Sequence, residues 1–315
     1  MVNFRRFAFM TTIATYILIF IGGLVRVSGA GLGCPDWPKC FGRWIPPVSV
    51  NQLPPELDPS TFNFTLAWIE YFNRLVGMTI GILILITAIM AIKYYRHVKS
   101  ILYPSIAAAL LVAYQGWQGS QIVSSRLEPL IVSIHLILAL IIVSLLIYAT
   151  QRAYHIELGD SPKSGQFPGK VGIEVAVLWG AAIVQVVLGT QVRSAVETAQ
   201  KSHPLSSDST ILGMIGVVSY GHIILGILVI GFAFHIARIL LKRSDEISPL
   251  MKQSVYGMIF LMIAQLILGF LLIVVGMPEL TRVFHLWVAS LFVGLLLALY
   301  TEVKRTTGGK YVGKA

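Results

Sequence analysis

Eight long apolar stretches dominate this chain of 315 residues and leave it few ways to fold. They lie at roughly 7–27, 66–92, 101–123, 129–151, 171–192, 212–240, 251–274 and 280–303. Each carries about 20 mostly apolar residues in a row, the length an α-helix needs to cross the hydrocarbon of a bilayer. Hydrophobic residues make up 56% of the chain, charged residues only 12%, and mean hydropathy is +0.79. That balance excludes a soluble domain of this size. The sequence therefore predicts an all-α polytopic membrane protein with eight transmembrane helices.

The net charge of +10 would fit a nucleic-acid binder, but its distribution does not. Arg5, Arg6, Lys93, Arg96, Lys99, Arg152, Lys163, Lys170, Arg238, Lys242, Arg243, Lys252, Lys304, Arg305, Lys310 and Lys314 fall at the ends and in alternate connections. This is the positive-inside pattern, and it predicts a multi-pass protein of the cell membrane with both termini cytoplasmic. No nucleic acid is expected as a partner; the bilayer is. The first apolar run has no small-residue cleavage site after it and reads as helix 1, not as a removed signal peptide.

An internal repeat organises the chain. His135 precedes His285 by 150 positions, and Asn73 precedes His222 by 149. Gly22-x-x-x-Arg26 ends the first helix and Gly189-x-x-x-Arg193 the fifth, while Gln115-x-x-x-Gly119 is matched by Gln265-x-x-x-Gly269. Helices 1–4 thus match helices 5–8. An even number of helices per repeat gives a parallel duplication about an axis along the membrane normal. The expected architecture is two pseudo-twofold-related four-helix bundles. The first spans 1–151, a polar cytoplasmic linker spans 152–170, and the second spans 171–315. Within the first, residues 28–65 form an outer loop whose prolines forbid continuous helix, and its length suggests a lid.

Three histidines carry the chemistry. His135, His222 and His285 each fall within the first two or three turns after an outer loop, so all three lie in the outer half of the membrane. Ionisable groups at such depth default to functional hypotheses, and neutral imidazole is a standard axial ligand of haem iron. His222 with His285 would give a six-coordinate, electron-transferring haem. His135 faces a repeat position held by Asn73, a poor iron ligand, so a haem there would keep one open face. The other reading is a ligand from elsewhere, or a degenerate half. His97, His155 and His235 read as ordinary residues near the cytoplasmic interface, and His203 as an outer-loop residue.

Glu70, Asn73 and Arg74 share one helix face by their i, i+3, i+4 spacing, and their repeat counterparts are Ser219, His222 and Ile223. A carboxylate at this depth is costly unless paired, so Glu70–Arg74 is either a structural ion pair or an acid/base site. Arg26 and Arg193 end their helices at the outer interface. They reach either lipid phosphate or the propionates of a haem. Gln115 and Gln265 suit hydrogen bonds between helices. The only cysteines, Cys34 and Cys40, fall in the outer loop. They are a structural disulfide, a redox-active pair, or two free thiols.

Taken together, these motifs resemble haem A synthase, the Cox15/CtaA family. The resemblance rests on Gly22-Gly23-Leu24-Val25-Arg26, on Gly33-Cys34-Pro35-Asp36-Trp37-Pro38-Lys39-Cys40, on Glu70-x-x-x-Arg74, and on the in-register His135, His222 and His285. It covers nearly the whole chain. It implies oxidation of the C8 methyl of haem O to a formyl group, giving haem A for terminal oxidases. It further implies a haem b cofactor on the C-terminal histidine pair, haem O in the N-terminal half, and Glu70 as the acidic residue considered catalytic. One departure stands out: studied members carry a histidine where this chain has Asn73. Expected partners are haem O, haem O synthase, a quinone or other electron acceptor, and further copies of the chain. Two rival readings are a dihaem cytochrome b that passes electrons to quinone, and a haem carrier.

Overall fold

A computed structural model describes residues 3–56, 58–159, 167–206 and 208–307. Lys163, Lys310, Lys314 and residues 160–166 of the polar linker lie outside the described residues. The described chain is helical, with α1 (Phe4–Val27), α2 (Phe64–Tyr95), α3 (Lys99–Ser124), α4 (Pro129–Glu157), α5 (Gly169–Ser202), α6 (Asp208–Met214), α7 (Gly216–Leu241), α8 (Pro249–Val274) and α9 (Glu279–Thr307). Seven of these are long and apolar enough to cross a membrane. The remaining long helix, α3, has 26 residues but carries Ser105, Gln115, Gln118, Ser120 and Gln121. The chain is thus a helical multi-pass membrane protein.

The helix starts follow local capping chemistry. Asn3 accepts the Arg5 N–H at 2.9 Å and Asn63 accepts the Leu66 N–H at 3.1 Å, satisfying N–H groups that the first turn leaves unpaired. Ser248 does the same for Met251 at 3.1 Å, with Pro249 at the first helical position. Two boundaries differ from the hydropathy reading. Helix α5 runs on to Ser202, beyond the lipid-length stretch, because Ala195–Gln200 favours helix and Arg193 pairs with Glu197 one turn on at 2.8 Å. The stretch expected as one helix over 212–240 is broken, with α6 ending at Met214 and Gly216 adopting φ +50° before α7 runs on. That left-handed conformation is one that glycine adopts readily.

The chain packs as two compact units, Met1–Thr150 with Arg282–Trp287, and Gln151–Thr281 with Val288–Ala315. In the first, α2, α3 and α4 meet at Ile80, Ile84, Ala108, Ile142 and Leu146, with Leu18 of α1 packed against them. In lipid such packing, with interhelical polar contacts, holds helices together without a hydrophobic driving force. Thr87 of α2 donates to the Thr11 hydroxyl of α1 at 3.4 Å in the same unit. The segment Arg282–Trp287 lies on α1: Trp287 donates its indole N–H to the Tyr16 carbonyl at 2.9 Å, and Phe20 meets both Phe284 and Trp287 at 5.3 Å.

In the second unit, Gln185 of α5 donates to the His222 carbonyl of α7 at 2.8 Å. The same unit also holds a buried polar cluster. Glu302 is fully buried, and its carboxylate accepts from Gln151 Nε2 at 2.8 Å and Ser248 Oγ at 3.2 Å, and lies 2.5 Å from His155 Nε2. Arg305 approaches it at 3.8 Å, and Thr301 donates to the other end of the Gln151 amide. His155 is therefore not an ordinary interface residue. Its partner lies 147 positions on, at a distance that no local pattern reveals.

Candidate functional site

The loop between α1 and α2 is folded down on the start of α2. Cys34 and Cys40 are joined by a disulfide, and both are buried with Phe41 and Ala67 in a small core completed by Leu53, Phe62 and Tyr71. Gly33 sits against the helix start, where a Cβ would stand 2.2 Å from the Leu66 carbonyl oxygen. No other residue fits there without moving backbone. The Asp36 carboxylate closes the turn by accepting the N–H groups of Phe41 at 2.6 Å and Gly42 at 2.9 Å. Trp68 reaches over from α2 to donate to the Pro47 carbonyl at 3.4 Å. The segment that length alone marked as a lid is thus a packed cap. The three 3₁₀ turns within it, Ala30–Leu32, Val50–Gln52 and Pro59–Thr61, satisfy the backbone where proline excludes longer helix.

Arg74 ties this cap to α2. Its Nε donates to Glu70 Oε1 at 2.9 Å, one NH group donates to the carbonyls of Asp36 at 2.8 Å and Lys39 at 2.9 Å, and the other donates to Cys34 at 3.4 Å. The guanidinium thus uses its planar fork on a carboxylate and a loop backbone at once. Glu70 is buried. The structural ion pair read as one alternative exists. The same arginine is also the cap's anchor, a contact spanning up to 40 positions that the i, i+4 spacing did not reveal. A carboxylate fixed this way holds one oxygen on arginine and can offer the other to a substrate or a proton.

His135 sits in the first two turns of α4. Gln115 of α3 donates to its carbonyl at 2.9 Å, and Gln118 donates to the Ile131 carbonyl at 3.5 Å, so two glutamines set the register of α3 on α4. The His135 Nδ1 is buried without a hydrogen-bond partner. His222 lies in α7 of the other unit, and His285 lies in the Arg282–Trp287 segment grouped with the first. Among the described residues, no group of three or more His, Cys, Asp or Glu could hold a bare metal ion. The histidines stand as single imidazoles on separate helices, which suits an iron whose equatorial positions belong to a porphyrin. Arg26 is the basic residue of the last turn of α1, and Arg193 spends its Nε on Glu197 at 2.8 Å.

The helical spans define a multi-pass membrane protein. The chain belongs to the COX15-CtaA family of cytochrome oxidase assembly proteins, which it matches over residues 5–297. It is similar to the haem A synthase of Shewanella oneidensis, with 29% identity over 57% of this chain and 54% of that one. With the haem A synthase of Geobacillus kaustophilus it shares 32% identity over 39% of this chain and 34% of the relative. With that of Geobacillus thermodenitrificans it shares 24% identity over 97% of this chain and 94% of the relative. The chain spans about half the length of the first of these relatives and a third of the second.

Proposed function

We propose that this protein is a haem A synthase, oxidising the C8 methyl of haem O to a formyl group. Haem O is the substrate, held in the N-terminal half on His135, with Arg26 toward its propionates. His222, and by repeat register His285, are the candidate ligands of a resident haem b, with Arg193 toward its propionates. When bound, that haem carries electrons away from the reaction. The conversion removes two electrons and adds one oxygen to give the alcohol. A second such oxidation gives the hydrated aldehyde, which loses water to leave the formyl group. Haem O synthase supplies the substrate, and a quinone or another acceptor takes the electrons. We place the protein in the plasma membrane with both termini cytoplasmic.

Glu70 carries this reading. It is a buried carboxylate one turn before Asn73, the repeat counterpart of His222, and the corresponding residue in the other half is Ser219. Its charge is held by Arg74, and its free oxygen can take the proton that leaves as the methyl is oxidised. Membership of an oxidase-assembly family and relatives that are haem A synthases favour this over an electron-shuttling cytochrome or a haem carrier. Glu70→Gln keeps the shape and loses the proton acceptor. Turnover of haem O is expected to fall by roughly 10²–10⁴-fold, while haem b content stays normal. Full turnover in this variant, or loss of haem b from it, would reject the assignment.

A further inference from the structure

Gln185 and Gly189 stand one turn apart on α5, and His222 and Gly226 one turn apart on α7. The four form one contact. The His222 carbonyl belongs to a helix, so the N–H four residues on, that of Gly226, is its regular partner. Gln185 Nε2 adds a second bond to the same oxygen at 2.8 Å. The amide reaches it only because Gly226 lacks a side chain: a Cβ there would stand 2.9 Å from Gln185 Nε2. The imidazole lies against Gly189, where a Cβ would stand 3.2 Å from His222 Cε1. Helix α5 therefore meets His222 twice, once at its backbone and once at its ring.

The other half of the repeat supplies the comparison. At the register of 167 positions, Leu18 corresponds to Gln185 and Gly22 to Gly189; at 149, Asn73 corresponds to His222 and Gly77 to Gly226. Both glycines persist, and among the described residues no atom beyond the surrounding turn of its own helix lies within 4 Å of where a Cβ on either would stand. The glutamine and the histidine are both replaced. Leu18 instead packs into the apolar cluster around Ile80 and Leu146. A polar amide within a spanning helix is costly without a partner. This chain keeps one where there is a histidine to hold, and has an apolar residue where there is none.

We propose that Gln185 is the positioning residue of His222, fixing the rotation of α7 and so the aim of the imidazole at haem iron. The inference rests on the reading of His222 as a haem ligand. Gln185 acts through His222 and not on the iron. The test uses the purified holoprotein and two readouts: the low-spin signal of the resident haem in electron paramagnetic resonance, and the rate at which that haem passes to apomyoglobin. Gln185→Leu keeps the volume and removes the donor. It is expected to release haem on the order of tenfold faster, the effect of one lost hydrogen bond, and to shift the low-spin signal. Gly226→Ala keeps the glutamine but blocks its approach. It is expected to do the same, although alanine favours helix over glycine. The double variant is expected to go no further than either single one. Wild-type spectra and release rates in both single variants, or additive effects in the double, would overturn the proposal while leaving the ligand assignment intact. His222→Ala is the control and is expected to lose the low-spin signal. If it keeps the signal, the ligand reading and this proposal fall together.

Discussion

Arg74→Lys separates the two contacts that this side chain makes. The guanidinium donates to Glu70 and to three loop carbonyls. A lysine ammonium keeps the charge beside Glu70 but cannot fork across the loop backbone. The bonds to Asp36 and Lys39, at 2.8 and 2.9 Å, are the ones that count; the contact to Cys34 at 3.4 Å is weak. Two lost hydrogen bonds at about 1–1.5 kcal/mol each weaken the docking of the cap by about 2–3 kcal/mol. At about 1.4 kcal/mol per tenfold, the undocked population rises roughly 30–150-fold. Hydrogen–deuterium exchange in nanodiscs reads this directly at the Phe41 and Gly42 amides, which the Asp36 carboxylate protects only while the turn is closed. Their exchange is expected to accelerate by that factor, with the α2 amides unchanged. Exchange within about threefold of wild type would refute the anchoring function of Arg74.

Glu302→Ala leaves His155, Gln151 and Ser248 buried without their common acceptor. Removing one partner of such a cluster costs about 3–5 kcal/mol, so the melting temperature of the purified protein is expected to fall by about 10 °C. A melting temperature within about 2 °C of wild type would mean that water replaces the carboxylate. Cys34→Ser opens a loop closed over a separation of 6 residues and is expected to destabilise by about 2–4 kcal/mol with turnover nearly kept. Loss of turnover at unchanged stability would instead make the pair redox-active.

The helices were legible because lipid imposes both a length and a composition on every span. Their ends were less so. Hydropathy stops where the lipid stops, whereas α5 continues to Ser202 on helix propensity and the Arg193–Glu197 pair. The break before α7 is hidden because both sides of Gly216 are apolar. At the site, the repeat register singles out His135 and His222 as candidates, and i, i+4 spacing singles out the Glu70–Arg74 pair. Neither reveals what holds them. Arg74 reaches carbonyls 35 to 40 positions away, and backbone acceptors leave no mark on the sequence. Gln185 could have been found from its exchange for Leu18 in step with the exchange of His222 for Asn73, once both registers were laid side by side.

The central claim is chemical, and haem extraction tests it most directly. The protein is produced in cells that make haem O but contain no other enzyme for the formyl step, and the pigments are extracted and identified by mass. Haem A is expected alongside haem b, and its yield is expected to collapse in Glu70→Gln. Recovery of haem O and haem b alone, from protein that holds both haems, would contradict the account.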